Sequence, residues 1–377
     1  MKIVVISMAL VVFAVSLAVL YLKHRMRNPD DSKNLEAAVD AKLIQFMRKK
    51  LHLAVVVGVY RDGRSFVRGY GTVRTEAPVL PDATTAFQIG SVSKIFTATL
   101  LQTLCDEGVV SMETTLNELL GGSIPLSPAA QGVTLKQLVT HTSGFPSVPK
   151  SLELKATELA GKEELMGNPY SYLGPEFVFD YLATTEGTRK PGRFEYSNLG
   201  MGLLGHVLEH VTGRDYESLV REKVLAPLGM NETVITLTPD IEDRLTRGYT
   251  AKGEPAGIWT FAALAGAGAY ISSAKDMLRF IEACLGEQGS ASQQFDAMRR
   301  PQSEGVTGIG WMQPTFLDRF LGNRKVVWHN GMVGGYASYL SIDAETRTGV
   351  VILTNQARAT RLLMLGIGLM RQVRTQS

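Results

Sequence analysis

Apolar and polar positions along this chain follow different periods in different stretches, and the changes of period mark out its elements. Leu35, Val39, Leu43 and Phe46 are spaced for one face of a helix over residues 35–50. The runs LAVVVGVY (53–60) and SFVRGYGTV (65–73) flank Arg-Asp-Gly-Arg, which predicts a β-hairpin with an Asp-Gly turn. From residue 91 the period is helical: Val92, Ile95, Phe96, Thr99, Leu100 and Leu104 form a one-sided stripe that stops at Gly108. Further helices are predicted near 134–140, 199–212, 215–225 and 274–285, the last opened by Ser273 with Asp276 in capping position. Strand character returns in a run closing at Trp328-His329-Asn330, then at 336–342 and 349–354, before a helix over 360–373. The order strands, helices, strands predicts an α/β (α+β) fold. An antiparallel sheet built from both chain ends (35–80 and 305–377) is flanked by helices and carries an inserted, mostly helical domain (81–304).

The first residues have a different pattern. Residues 3–22 hold no charge, and such a length crosses a bilayer as a helix. A cleavable signal has a shorter apolar core and a small-x-small exit, whereas this run ends in Leu-Tyr-Leu followed by Lys23, His24 and Arg25. Residues 1–27 are therefore expected to be an uncleaved signal-anchor transmembrane helix, with 28–34 as a linker. Lys23, Arg25 and Arg27 after the span favour a cytoplasmic body by the positive-inside rule.

Composition narrows the function classes. The 377 residues are 45% hydrophobic and 20% charged, enough for a large core. With 39 basic and 36 acidic residues and no basic block beyond the N-terminus, nucleic acid is not an expected partner. Cys105 and Cys284 lie in apolar helical stretches without a Cys-x-x-Cys pair, so they read as small hydrophobes rather than a disulfide. No His, Cys or carboxylate cluster has metal-ligand spacing, and neither a metal nor a cofactor is expected. AGAGAY (265–270) lacks the third glycine and preceding strand of a nucleotide loop and reads as close backbone packing beside a pocket. The absence of Gly-x-Ser-x-Gly argues against an α/β-hydrolase elbow.

The candidate chemistry starts at QIGSVSKIF. Ser-x-x-Lys occurs at Ser91, Ser147 and Ser272. Pro149 spoils the Ser147 copy as helix, and the Ser272 copy is explained by the helix cap that follows it. A serine at a helix start is ordinarily a cap as well. At Ser91, however, residues i and i+3 share a face, so Lys94 would reach the hydroxyl. The helix N-terminus would favour an oxyanion. A serine hydroxyl needs such help, and the lysine can supply it as a base only where burial or a nearby cation lowers its pKa.

Tyr196-Ser197-Asn198 holds the only Tyr-x-Asn among 12 tyrosines, at a loop entering a helix. His329-Asn330-Gly331 holds the only His-x-Gly among 6 histidines, at the end of a strand. These elements, in this order with Ser91-x-x-Lys94, resemble the serine β-lactamase and penicillin-binding-protein superfamily, in its class C β-lactamase-like branch of β-lactamases, D,D-peptidases and esterases. The resemblance runs over about residues 35–375 and includes THTSG (140–144), a turn shared with peptidase and esterase members.

The resemblance implies a β-lactamase/transpeptidase-like fold and a serine hydrolase acting through an acyl-enzyme on small-molecule or peptide substrates. Ser91 would be the nucleophile. Lys94 and Tyr196 would shuttle the proton, with Tyr196 as a tyrosinate beside the lysine. Asn198 would hold Lys94 or the substrate amide, and His329 and Gly331 would line the substrate. The backbone N–H groups of Ser91 and Met332 would form the oxyanion hole. His329 stands where β-lactamases carry a lysine for the substrate carboxylate, and a mostly neutral imidazole weakens that recognition. His141 is read as structural. The resemblance also places the catalytic body outside the cytoplasm, on the periplasmic side of a bacterial inner membrane, against the flanking charges. The alternative is a catalytically idle penicillin-binding, sensor or scaffold protein of the same fold.

Overall fold

The computed structural model describes residues 35–47, 54–73, 79–150, 158, 167–168, 170–172, 174–185, 191–286 and 290–375. The expected N-terminal transmembrane helix is corrected: among the described residues no helix is long and apolar enough to cross a membrane. Residues 3–22, on which that expectation and the membrane contact rested, lie outside the described residues, as does the 28–34 linker.

The central sheet is antiparallel, five-stranded and ordered β2-β1-β9-β8-β7. Its strands are β1 (Ala54–Arg61), β2 (Arg64–Gly71), β7 (Val327–Val333), β8 (Tyr336–Asp343) and β9 (Thr348–Thr354). The β1–β2 hairpin turns through Asp62 and Gly63 at φ 47° and 82°, the left-handed pair that the Asp-Gly signal calls for. β1 and β9 pair across nearly the full sequence, Val55 with Thr354 through Arg61 with Thr348, so both chain ends meet in one sheet.

Alternation sorts the strand side chains between two apolar layers. Val55, Val57 and Val59 pack with Tyr339, Val350 and Ile352 under helix α1 (Leu35–Met47) and the C-terminal helix α8 (Ala359–Thr375), where Val39, Leu43, Leu362 and Leu369 are buried. Val56, Leu340, Val351 and Leu353 face the opposite way, into the larger core shared with the helical region. On that side helix α7 (Ala274–Leu285) crosses so close that a Cβ on Gly58 would stand 2.8 Å from a Val351 methyl and 3.0 Å from Leu278. Ser273 caps α7 by accepting from the Asp276 N–H.

The helical region is built on α2 (Ser93–Asp106), preceded by a 3₁₀ turn at Gly90–Val92. Around it lie α3 (Leu135–Val139), α4 (Pro175–Thr184), α5 (Asn198–Thr212) and the short α6 (Ala265–Gly268). The one-sided stripe predicted for α2 is corrected, because every residue from Ser93 to Leu101 is buried. The helix runs through the middle of the molecule, and its polar residues are satisfied internally. Thr97 donates to the Gly266 carbonyl at 2.7 Å, and Ser93 Oγ accepts from the Tyr270 N–H at 3.1 Å. Helices at Pro175–Thr184, Ser290–Arg299 and Phe316–Phe320 were not foreseen. Short β3 (Ala86–Gln88) leads into the 3₁₀ turn and pairs with β6 (Ile271–Ser273), while β4 (Gly248–Tyr249) and β5 (Pro255–Ala256) pair with each other.

A further difference concerns His329. It lies inside β7, which continues to Val333 and turns through Gly334-Gly335 into β8. The glycines at 331, 334 and 335 interrupt the apolar alternation and hide the second half of the strand from a periodicity argument. Cys105 and Cys284 are both free thiols, and Cys284 is buried.

Candidate active site

Where α2 meets the edge strand β7, the chain brings Ser91, Lys94, Tyr196, Asn198, His329 and Met332 together. Gly90 makes the approach possible. It takes φ +51°, and a Cβ there would stand 2.8 Å from the Met332 nitrogen. Gly331 has the same role one residue along, since a Cβ on it would collide with the Ile89 carbonyl oxygen. That carbonyl is held by Ser338 Oγ at 2.6 Å.

Ser91 is not a cap. Neither the 3₁₀ turn nor α2 has a side-chain cap hydrogen bond. The Ser91 hydroxyl lies 3.0 Å from Lys94 Nζ. Lys94 is wholly buried. Its Nζ donates to Ala267 O at 2.6 Å and Asn198 Oδ1 at 2.8 Å. Burial pushes its pKa well below the usual lysine range. A neutral amine has two N–H bonds and a lone pair. The two acceptors take the N–H bonds, and the remaining tetrahedral direction faces Ser91 Oγ. A lone pair in that direction can accept the hydroxyl proton.

Tyr196 arrives on the segment before α5, whose N-cap is Ser197, accepting from the Gly200 N–H at 2.8 Å. Its ring centroid is 4.9 Å from Lys94 Nζ. Burial drives the phenol above its usual pKa, with the hydrogen bond to Ser91 pulling in the other direction. Burial thus favours a neutral amine beside a protonated phenol, against the tyrosinate that the resemblance implies. Asn198 Nδ2 donates to Tyr170 Oη at 2.9 Å and to Ser147 Oγ at 3.1 Å, which leaves its oxygen turned toward Lys94.

His329 is 2% exposed. Its Nδ1 lies 2.8 Å from the Asn330 carbonyl, an acceptor only, so Nδ1 carries the proton and Nε2 is bare. Burial first, and Lys94 second, lower its pKa to about 3. It is neutral at any ordinary pH and supplies no charge for a carboxylate.

The Met332 N–H points off the sheet. β7 is the edge strand, and the Trp328 N–H on its outer side bonds Met312 O at 3.1 Å. Backbone direction alternates along an unbulged strand, so Asn330 and Met332 face the same outer side. Their donors lie outside the ladder, and Met332 is the one that reaches the 3₁₀ turn carrying Ser91.

Several residues at the site had no sequence signal. Ser147, set aside as a Ser-x-x-Lys copy, abuts Asn198. Tyr170 stacks on Phe261 with centroids 4.9 Å apart and 14° between planes. Gln88 holds the neighbouring loop by donating to Trp259 O at 2.7 Å and accepting from its N–H at 2.9 Å. The Ala267 carbonyl comes from AGAGAY, whose Gly266 would place a Cβ 2.6 Å from Met201 O, the close backbone packing beside the pocket anticipated for that run.

Comparison with known proteins gives this geometry a family. The family model described as Beta-lactamase matches residues 39–372. A human beta-lactamase-like 1 protein is 30% identical over 296 residues, 72% of this chain, which spans only 54% of that relative. The D-alanyl-D-alanine-carboxypeptidase/endopeptidase AmpH of Escherichia coli K12 is 26% identical over 336 residues, 82% of this chain and 81% of that one. The crystal structure of a beta-lactamase/D-alanine carboxypeptidase from Pseudomonas syringae superposes with a TM-score of 0.75 at 20% identity, covering 90% of this chain and 98% of that chain. The chain belongs to the beta-lactamase family and is an enzyme of the serine hydrolase type.

Proposed function

We propose that the chain hydrolyses acyl donors through an acyl-enzyme on Ser91. The observation that carries this reading is the buried Lys94 amine, its N–H bonds engaged by Ala267 O and Asn198 Oδ1 and its remaining direction 3.0 Å from Ser91 Oγ. In acylation the Ser91 O–H bond breaks toward Lys94 Nζ while Oγ bonds the substrate carbonyl carbon. The carbonyl oxygen becomes an anion facing the Ser91 and Met332 N–H groups. As the tetrahedral species collapses, the leaving group departs with the Tyr196 phenol proton, which Lys94 restores. Water then attacks the acyl carbon as its proton passes to the Tyr196–Lys94 pair, and Ser91 leaves reprotonated. Asn198 orients Lys94 and faces the substrate amide; His329 and Gly331 border the acyl donor.

Substrates in this reading are D-amino-acid peptides, β-lactams or esters, the first two in keeping with the names of the AmpH and Pseudomonas syringae relatives. The neutral His329 favours donors whose binding does not depend on an ammonium against a carboxylate. The test is covalent labelling by a fluorophosphonate and a fluorescent penicillin. Label that vanishes in Ser91→Ala supports the reading, and label unchanged in that variant sinks it. Turnover of a short-chain aryl ester, a D-Ala-D-Ala peptide and a cephalosporin then ranks the substrate classes.

A further inference from the structure

We infer that His141 is a positioning residue that holds Tyr196 against Ser91, and that it does so as a neutral hydrogen-bond acceptor. The inference rests on the proposed roles of Ser91 and Tyr196.

The THTSG turn lies alongside the segment that delivers Tyr196. Gly192 N–H donates to Thr142 O at 2.7 Å, and Glu195 N–H donates to His141 O at 2.7 Å. Any residue could supply those carbonyls. The third bond is different: Ser197 N–H donates to the His141 side chain, at Nδ1, over 3.1 Å. The same ring lies over the Tyr196 ring, centroids 4.5 Å apart at 32°, and meets Phe194 edge-on at 6.1 Å. One imidazole thus holds the backbone just after Tyr196 and one face of its phenol ring.

The backbone at His141 has φ +57°, a left-handed conformation that favours glycine or asparagine. A histidine there carries strain that glycine would remove, so the fold keeps the side chain for what it touches. The turn itself is secured independently, by Thr140 Oγ1 to Lys136 O at 2.7 Å and Thr307 Oγ1 to Thr140 O at 3.2 Å. Acceptance at Nδ1 requires an unprotonated nitrogen. Burial disfavours the charged form of this imidazole, in keeping with an accepting Nδ1.

The test compares His141→Gly with His141→Asn. Both tolerate the left-handed backbone, and only asparagine places an acceptor, Oδ1, near the position of Nδ1. Acylation by a fluorophosphonate and kcat and KM for an aryl ester are measured on protein normalised by active-site titration, with thermal melts alongside. The glycine variant is expected to lose roughly 30-fold in kcat with KM within about twofold, and the asparagine variant to stay within about threefold of the parent. In a Tyr196→Phe background His141→Gly should cost less than about twofold more, because residues acting as one unit are not additive. Equal losses in the two single variants, or a full loss repeated in the Tyr196→Phe background, would overturn the inference. Label retained by Ser91→Ala would bring down the parent reading and this one with it. The first two outcomes, with Ser91→Ala unlabelled, reject only the role of His141.

Discussion

A Cβ placed on Gly90 would stand 2.8 Å from the backbone nitrogen of Met332. That closeness brings an edge-strand donor to the turn that carries the nucleophile candidate. Gly90→Ala must either push β7 away or abandon φ +51°. Displacing one oxyanion donor costs about 10²–10³ in rate. The expected outcome is a fall of that order in acylation by an aryl ester, with KM changed by no more than about threefold. Stopped-flow acylation on titrated enzyme checks it, and a Gly90→Ala enzyme within about fivefold of the parent would count against Met332 as a donor.

Lys94 makes a prediction about stability that is independent of any substrate. The unfolded chain keeps the lysine proton up to about pH 10.4. The native state holds the amine neutral well below that, because the side chain is buried. Between those limits the unfolded state binds the extra proton, so native stability rises with pH, by up to about 1.4 kcal/mol per pH unit from this group. Lys94→Met removes the titration and also leaves Ala267 O and Asn198 Oδ1 without their donor. The offset between the two proteins therefore mixes two effects, but the slope does not. From pH 7 to 9.5 the parent should gain stability relative to Lys94→Met, read by urea unfolding at fixed temperature. Parallel pH curves would mean that Lys94 is charged in the native state.

Much of this architecture was legible because the hydrophobic core follows local periods. The hairpin turn at Asp62-Gly63, the cap at Ser273 and the closing strands and helix all have short-range signals in their own residues. The site was legible where three short motifs, each weak alone, occur in order. What escaped depends on tertiary contact. Burial of α2 on every side comes from neighbours distant in sequence, and its serine and threonines look like a polar face until Gly266 and Tyr270 supply their partners. The strand through His329 was cut short because Gly331 has no side chain to mark its face, and that glycine is there for the Ile89 carbonyl. Ser147 and Tyr170 meet the site at Asn198, and nothing local in the sequence announces such a contact.

Tyr170 and Ser147 together fix which way the Asn198 amide faces. With both accepting from Nδ2, the oxygen must meet Lys94. Tyr170→Phe keeps the stack on Phe261 and removes one acceptor. A single neutral hydrogen bond is worth about 0.5–1.5 kcal/mol, a factor of roughly 2–13. We expect kcat/KM to fall by about fivefold in Tyr170→Phe, and by clearly more when Ser147→Ala is added. A double variant no worse than Tyr170→Phe alone would show that Ser147 does not share the task.

His329 determines what kind of acyl donor the site can hold. Its pKa of about 3 leaves the imidazole neutral throughout the range in which a substrate carboxylate is ionised. Two consequences follow. His329 contributes no limb to the pH dependence of kcat/KM between pH 5 and 8, so His329→Gln should preserve the shape of that profile while changing its height. Replacement by lysine has the opposite intent. An ammonium about 4 Å from a carboxylate is worth up to ~4 kcal/mol in a partly polar site before desolvation is subtracted. The new cation would enter a buried position, so much of that gain is lost to desolvation. We expect His329→Lys to raise the kcat/KM ratio of a cephalosporin to a neutral aryl ester by about tenfold, mostly through KM, with a lower Tm than the parent. The ratio is the measurement that matters, because a general loss of active protein cancels in it. If the ratio stays within about twofold of the parent value, charge at this position does not select the substrate.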